Sequence, residues 1–181
     1  MKATGIVRRI DDLGRVVIPK EIRRTMRIRE GDPLEIYTDR EGEVIFKKYS
    51  PIGELASFAA QYAETLHKTC SMSVLICDRD AVIACAGVPR KEYVDRPFTD
   101  ELERIMESRS LYVARDDNAR IPAVEDAAGH YVSCAMPILA EGDLIGCVVS
   151  LASVDGAAMD SELESKLVIT AAGFLGRQLE A

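Results

Sequence analysis

Hydrophobic and polar positions alternate from the start of the chain. Between Thr4 and Ile10, Ile6 and Ile10 lie to either side of Arg8 on one face, while Val7 and Arg9 share the other. That two-residue period predicts a strand. Asp11-Asp12-Leu13-Gly14 interrupts it with turn chemistry, Gly14 being free to take a positive φ. Arg15-Val16-Val17-Ile18 resumes as a β-branched strand, and Pro19 ends it because proline brings no N–H to a ladder. The same proline suits the first turn of a helix from Lys20 to about Met26. On that helix Ile22 and Met26 sit one turn apart and face inward, and Arg23, Arg24 and Arg27 face out. After the turn cluster Glu30-Gly31-Asp32-Pro33, Leu34 to Tyr37 and Glu43 to Phe46 form a second strand pair around Asp39-Arg40-Glu41-Gly42.

The rest of the chain changes period. Ile52, Leu55, Phe58 or Ala59, Tyr62 and Leu66 recur at helical spacing from Pro51 to Lys68, just after a Ser50-Pro51-Ile52-Gly53 linker. Strands at Ser73 to Asp78 and Ala81 to Ala86 form a hairpin through Arg79-Asp80, and Asp100 to Ser108 forms a helix with Leu102, Ile105 and Met106 inward. Residues 114–130 are polar and loop-like. Tyr131 to Leu139 and Asp143 to Leu151 make another hairpin around Ala140-Glu141-Gly142. A long helix from Asp160 to Leu179 follows, capped by Asp160 or Ser161, with Leu163, Leu167, Ala171, Phe174 and Leu175 inward.

These patterns predict an α+β chain in three parts: a β-rich unit over 1–50, a linker helix over 51–69 and an α/β domain over 70–181. The first unit supplies only about ten inward-facing apolar side chains, and units this small bury too little surface to stand comfortably alone. Pairing with a second copy would close its sheet edges and complete its core, so the expected state is an intertwined dimer.

Charge sharpens the division. The chain carries a formal net charge of −7, yet residues 1–50 hold 12 basic and 9 acidic groups against 11 and 21 over residues 51–181. Nine of the 23 Lys and Arg residues crowd into Met1 to Arg29, opposed by three acids. A basic block on an acidic chain points to a polyanion partner. Apolar content of 48% supports a real core, and no apolar run approaches the ~18 residues of a membrane span. No leader pattern opens the chain. Five cysteines, an odd number without a C-x-x-C pair, fit reduced thiols in the cytosol.

The run TGIVRRIDDLGRVVIPKEIRRTMRIREGDPLEIYTDREGEVIFKKY, with its G-x-V-R, D-x-L-G-R-V-V-I-P and E-I-R-R elements, resembles the AbrB-type swapped-hairpin DNA-binding domain of bacterial transition-state regulators. Into KKYSPIGEL the likeness extends to sporulation regulators of spore-forming bacteria that both activate and repress. The resemblance implies double-stranded DNA as partner, a cytoplasmic, nucleoid-associated protein, and DNA contacts at Arg8, Arg15, Arg23 and Arg24, flanked by Lys2 and Arg9. The physical reading favours the same four arginines, since a two-fold dimer doubles them into eight guanidiniums able to fork onto phosphate or guanine. No long recognition helix is present, so readout would lean on DNA shape.

The order of strands and helices over 70–181 resembles a GAF-type sensor domain. That resemblance implies a small-molecule pocket under the loops 87–98 and 114–130, with Arg90, Arg96, Arg115, Asn118 and Arg120 as candidate contacts. No cofactor is implied, and His67 and His130 lack metal-ligand spacing. Pairing of the linker helix and the final helix between subunits would join two DNA-binding dimers into a tetramer. Two rival functions remain from other classes. A thiol-dependent reductase would need accessible, activated cysteines, whereas Cys77, Cys85, Cys134 and Cys147 lie in apolar strands. An antitoxin would end in a short flexible tail instead of about 110 patterned residues.

Overall fold

A computed structural model describes residues 5–115, 120–127, 129–156 and 159–180. The chain divides into two compact units, Met1–Tyr49 and Ser50–Ala181. In the first, helix α1 (Lys20–Thr25) is followed by an antiparallel hairpin of β1 (Leu34–Thr38) and β2 (Val44–Lys48), registered from Leu34 opposite Lys48 to Thr38 opposite Val44. At six residues α1 is too short to hold itself, and it starts directly on Pro19, whose carbonyl accepts from Arg23 N at 2.9 Å.

Two five-residue turns in this unit are built alike. Asp39 N donates to Glu43 O at 3.2 Å, and Asp39 Oδ1 accepts from Glu41 N and Glu43 N at 3.0 and 2.8 Å. Asp11 N likewise donates to Arg15 O at 3.0 Å, and Asp11 Oδ1 accepts from Leu13 N and Arg15 N at 3.0 and 2.7 Å. A glycine at φ near +80° completes each turn, Gly14 at 75° and Gly42 at 85°. The outcomes differ on either side. The second turn joins paired strands, but the strands expected over Thr4 to Ile10 and Arg15 to Ile18 are not formed among the described residues. Their apolar side chains lie open instead, Val7 being 85% exposed. The alternation is that of strands, but one chain offers them neither a ladder nor a core to lie on.

A half-buried ion pair ties the segment after α1 to the hairpin. Lys48 Nζ donates to Arg27 O at 2.9 Å and lies 3.5 Å from Asp32 Oδ2, which accepts from Arg29 N at 2.8 Å.

In the second unit five antiparallel strands run in the order β4-β3-β7-β6-β5: β3 (Ser73–Cys77), β4 (Val82–Ala86), β5 (Tyr112–Val113), β6 (His130–Ala140) and β7 (Asp143–Ser153). Helices cover both faces, which explains why the central strands are apolar without alternation. On one face Val74, Ile76, Cys134 and Val148 meet α3 (Ala56–Cys70) and α6 (Ser161–Leu179). On the other, Leu75, Cys77, Cys147 and Val149 meet α4 (Arg90–Tyr93), α5 (Asp100–Glu107) and the loop that follows.

The linker helix is not continuous: α2 (Pro51–Glu54), capped by Ser50 Oγ accepting from Gly53 N at 3.1 Å, ends at Leu55 before α3 begins. The final helix also turns a different face inward than its largest residues suggest. Val168, Ala171, Ala172 and Leu175 are buried, while Leu163 and Phe174 are 51% and 40% exposed. Small residues take the inner face because the helix lies close to the sheet: a Cβ on Gly176 would sit 2.3 Å from Leu139 O. The same logic buries Ala59 and Ala63 on α3 and leaves Phe58 and Tyr62 at the margin. There both rings pack against Phe174, with centroids 6.0 and 5.5 Å from it.

Candidate nucleic-acid interface

The first unit presents its arginines on a turn and a short helix. Arg8, Arg9, Arg15, Arg23 and Arg24 are all exposed. Arg23 and Arg24 occupy the last turn of α1, where a cation is favoured by the helix dipole and none of the helix is buried. Arg8 makes one long bond to its neighbour, Val7 O at 3.4 Å, so its guanidinium is available to a partner. Lys2 lies outside the described residues.

Arg15 is held differently. Its Nε donates to Asp11 Oδ2 at 3.0 Å, while Asp11 Oδ1 carries the turn. The Arg15 backbone N–H is the largest influence on the Asp11 carboxyl. Together with the Arg15 side chain and Leu13 N it outweighs desolvation and holds the carboxyl below the usual carboxylate range. Asp11 belongs to this surface although its residue type suggested only a turn. The signal was present in the sequence as a repeated Asp-x-x-Gly-x whose fifth residue is Arg15 in one copy and Glu43 in the other.

Arg90 opens α4, and Arg90, Arg96, Arg115 and Arg120 are exposed; Arg120 stacks over the Tyr131 ring at 5.5 Å. Asn118 lies outside the described residues. Beneath them the sheet is covered by Tyr93, Phe98 and Val124, all buried. The covering segments are tied down: Thr99 N donates to Ala123 O at 3.1 Å, and Thr99 Oγ1 to Pro122 O at 2.8 Å.

Burial also governs the cysteines. Desolvation pushes the Cys134 thiol up to about 11 and those of Cys77 and Cys147 well above the ordinary thiol range. Cys85, partly buried, shifts the same way for the same reason. Thiols held neutral near pH 7 are poor nucleophiles, and none of these four has the lowered pKa of an activated cysteine. Among the described residues no helix is long and apolar enough to cross a membrane.

An arginine-bearing hairpin-and-helix unit followed by an α/β unit with helices on both faces of its sheet is the build of a DNA-binding transcriptional regulator. Comparison with known proteins narrows the class. Residues 54–180 match the model described as "Stage V sporulation protein T C-terminal, transcription factor", and residues 7–53 match that described as "Antidote-toxin recognition MazE, bacterial antitoxin". The chain is 54% identical to stage V sporulation protein T of Bacillus subtilis over 99% of both chains. It is 65% identical to the transition state regulatory protein AbrB of the same organism, over 28% of this chain and 52% of that one. In fold it is similar to residues 122 to 287 of a methyl-accepting chemotaxis protein, at 16% identity, a TM-score of 0.50, and coverage of 70% of this chain and 91% of the other. The chain belongs to the stage V sporulation protein T family.

Proposed function

We propose that this regulator binds double-stranded DNA through Arg8, Arg15, Arg23 and Arg24, with Lys2 and Arg9 beside them, as an intertwined dimer of its first unit. The single observation that carries this reading is the coincidence of exposure: in one small unit the arginines and the apolar residues of the unformed strands are both open to solvent. A second chain that supplies the missing strands would bury the apolar set and double the cationic one. Two dimers then associate through the exposed margin of α3 and α6, and the α/β unit takes a small-molecule effector on its α4 and α5 side, supported by the loops that cover the sheet there. The genes controlled are those of spore formation, with activation at some and repression at others.

The antitoxin alternative draws on the match over residues 7–53 alone. It leaves the 132-residue second unit, with its complete two-sided core, without a role.

The test is direct. Eight guanidiniums on phosphates give a slope of about −7 for log affinity against log salt. Changing Arg8, Arg15, Arg23 and Arg24 to Ala together flattens that slope and abolishes binding to promoter fragments at physiological salt. Intact binding by this variant overturns the assignment.

A further inference from the structure

Asp11 makes an interaction that its turn does not need. The turn at Asp39 forms with the same backbone bond and the same two bonds to Oδ1, and no arginine contacts its second oxygen among the described residues. At Asp11 the second oxygen, Oδ2, is committed to Arg15 Nε at 3.0 Å, with 68% of the Arg15 side chain exposed. One carboxylate oxygen therefore makes the turn and the other holds an arginine. Taking Nε leaves the terminal N–H groups of the guanidinium facing outward, the edge that forks onto a phosphate or onto guanine O6 and N7.

We propose that Asp11 is a specificity-determining positioning residue, which fixes the outward edge of Arg15 and offsets its charge so that DNA is bound by fit more than by attraction. This rests on the reading of Arg15 as a DNA contact. An unpaired arginine reaches any phosphate nearby, gaining affinity that carries no sequence information. An arginine pinned at Nε reaches only acceptors placed along its remaining edge, and loses part of its pull on all the others. Asp11 thus trades general affinity for discrimination.

Asp11→Asn separates the two oxygens, because the amide oxygen still accepts from Leu13 N and Arg15 N while the amide nitrogen repels the Arg15 donor. Two charge-matched controls accompany it: Asp39→Asn, which makes the same change in a turn whose fifth residue is Glu43 in place of an arginine, and Asp12→Asn, which removes the same charge one residue away. Each full-length variant is titrated against a duplex selected from random sequence by the unmodified protein and against a scrambled duplex of equal length and composition. D11N is expected to tighten the scrambled duplex, lower the selected-to-scrambled ratio about three- to tenfold, and steepen the salt slope by about 1 to 2 across a dimer. In an Arg15→Ala background the same change has no effect on ratio or slope. The proposal is overturned if D11N leaves ratio and slope as they were, if D12N or D39N reproduces its effect, or if the effect survives without Arg15. Failure of the unmodified protein to bind either duplex would instead overturn the DNA reading itself, and this proposal with it.

Discussion

Two glycines three residues apart on α6 should respond to alanine in opposite directions. Gly176 lies where the helix meets β6, and a Cβ there would stand 2.3 Å from Leu139 O and 3.3 Å from its carbon. Reaching 3.0 Å from that oxygen, a distance real Cβ atoms almost never undercut, requires an opening of at least about 0.7 Å. The obstacle is strand backbone, held at Leu139 by its pairing with Leu144 of β7, so it cannot swing away as a side chain tip would. Lifting α6 by this amount loosens Val168, Ala171, Ala172 and Leu175 together, and overpacking of this kind costs about 1–3 kcal/mol. The helix-propensity gain of about 1 kcal/mol from glycine to alanine offsets part of it. Gly173, exposed and with nothing within 4 Å of its Cβ position, receives the gain alone. Urea unfolding at one fixed protein concentration should place Gly173→Ala about 0.5–1 kcal/mol above the unmodified protein and Gly176→Ala up to about 2 kcal/mol below it. A Gly176→Ala midpoint equal to or above that of Gly173→Ala would refute the account of why α6 turns small residues to the sheet.

Other consequences follow from buried groups. Cys134 keeps its proton to about pH 11 and Cys77 and Cys147 keep theirs at least as strongly, whereas thiols of the unfolded chain ionise near 8.5. Above that pH the native state binds more protons, so stability falls as pH rises, by up to about 1.4 kcal/mol per pH unit per thiol; unfolding series from pH 8 to 10.5 measure it, and Cys134→Ala should shallow the fall. Lys48→Met removes the cation beside the almost fully buried Asp32 carboxylate, so amide exchange in β1 and β2 should accelerate about 10- to 100-fold, in line with a loss of about 1.5–3 kcal/mol. Adding Asp32→Asn to Lys48→Met should recover part of that protection.

Much of the fold was legible because short-range chemistry dictates it. Asp-x-x-Gly turns, Pro19, and the change from a period of two to a helical period marked the elements to within a few residues. What failed depended on distance through space. Over Thr4 to Ile10 and Arg15 to Ile18 the alternation predicts strands that are not formed among the described residues, because pairing depends on a neighbour that alternation alone does not supply. On α6 the helical period predicts Leu163, Leu167, Ala171, Phe174 and Leu175 inward; Ala171 and Leu175 are buried, but Leu163 and Phe174 are exposed, because the closest approach of helix and sheet selects small residues. Asp11 was read as a turn residue alone. Its second role depends on the five-residue turn carrying Arg15 back beside it, a contact that no periodicity encodes.

The two units expose apolar residues in different ways, and the difference orders how the molecule should assemble. In the first unit Val7, Ile10, Leu13, Val16, Val17 and Ile36 are open, spread through both hairpin segments, and α1 buries nothing. That is an unfinished core, and on the proposed intertwined dimer a fold finished by a partner would not be stable apart from it. In the second unit both faces of the sheet are covered, and the exposed large apolar residues are Leu163, Ile169 and Phe174 on α6, a helix already packed, with Leu111 and Val154 outside the helices. A complete fold with an apolar margin can associate or stand alone. Hydrogen exchange at increasing dilution should therefore show amides of β1 and β2 losing protection as protein concentration falls, while those of β3 and β7 keep theirs. Glutamate at both Leu163 and Phe174 should lower the mass seen by sedimentation without touching protection in β1 and β2. Equal loss of protection in both units on dilution would mean that neither folds without its partner, and concentration-independent protection in β1 and β2 would mean that the first unit needs no second chain.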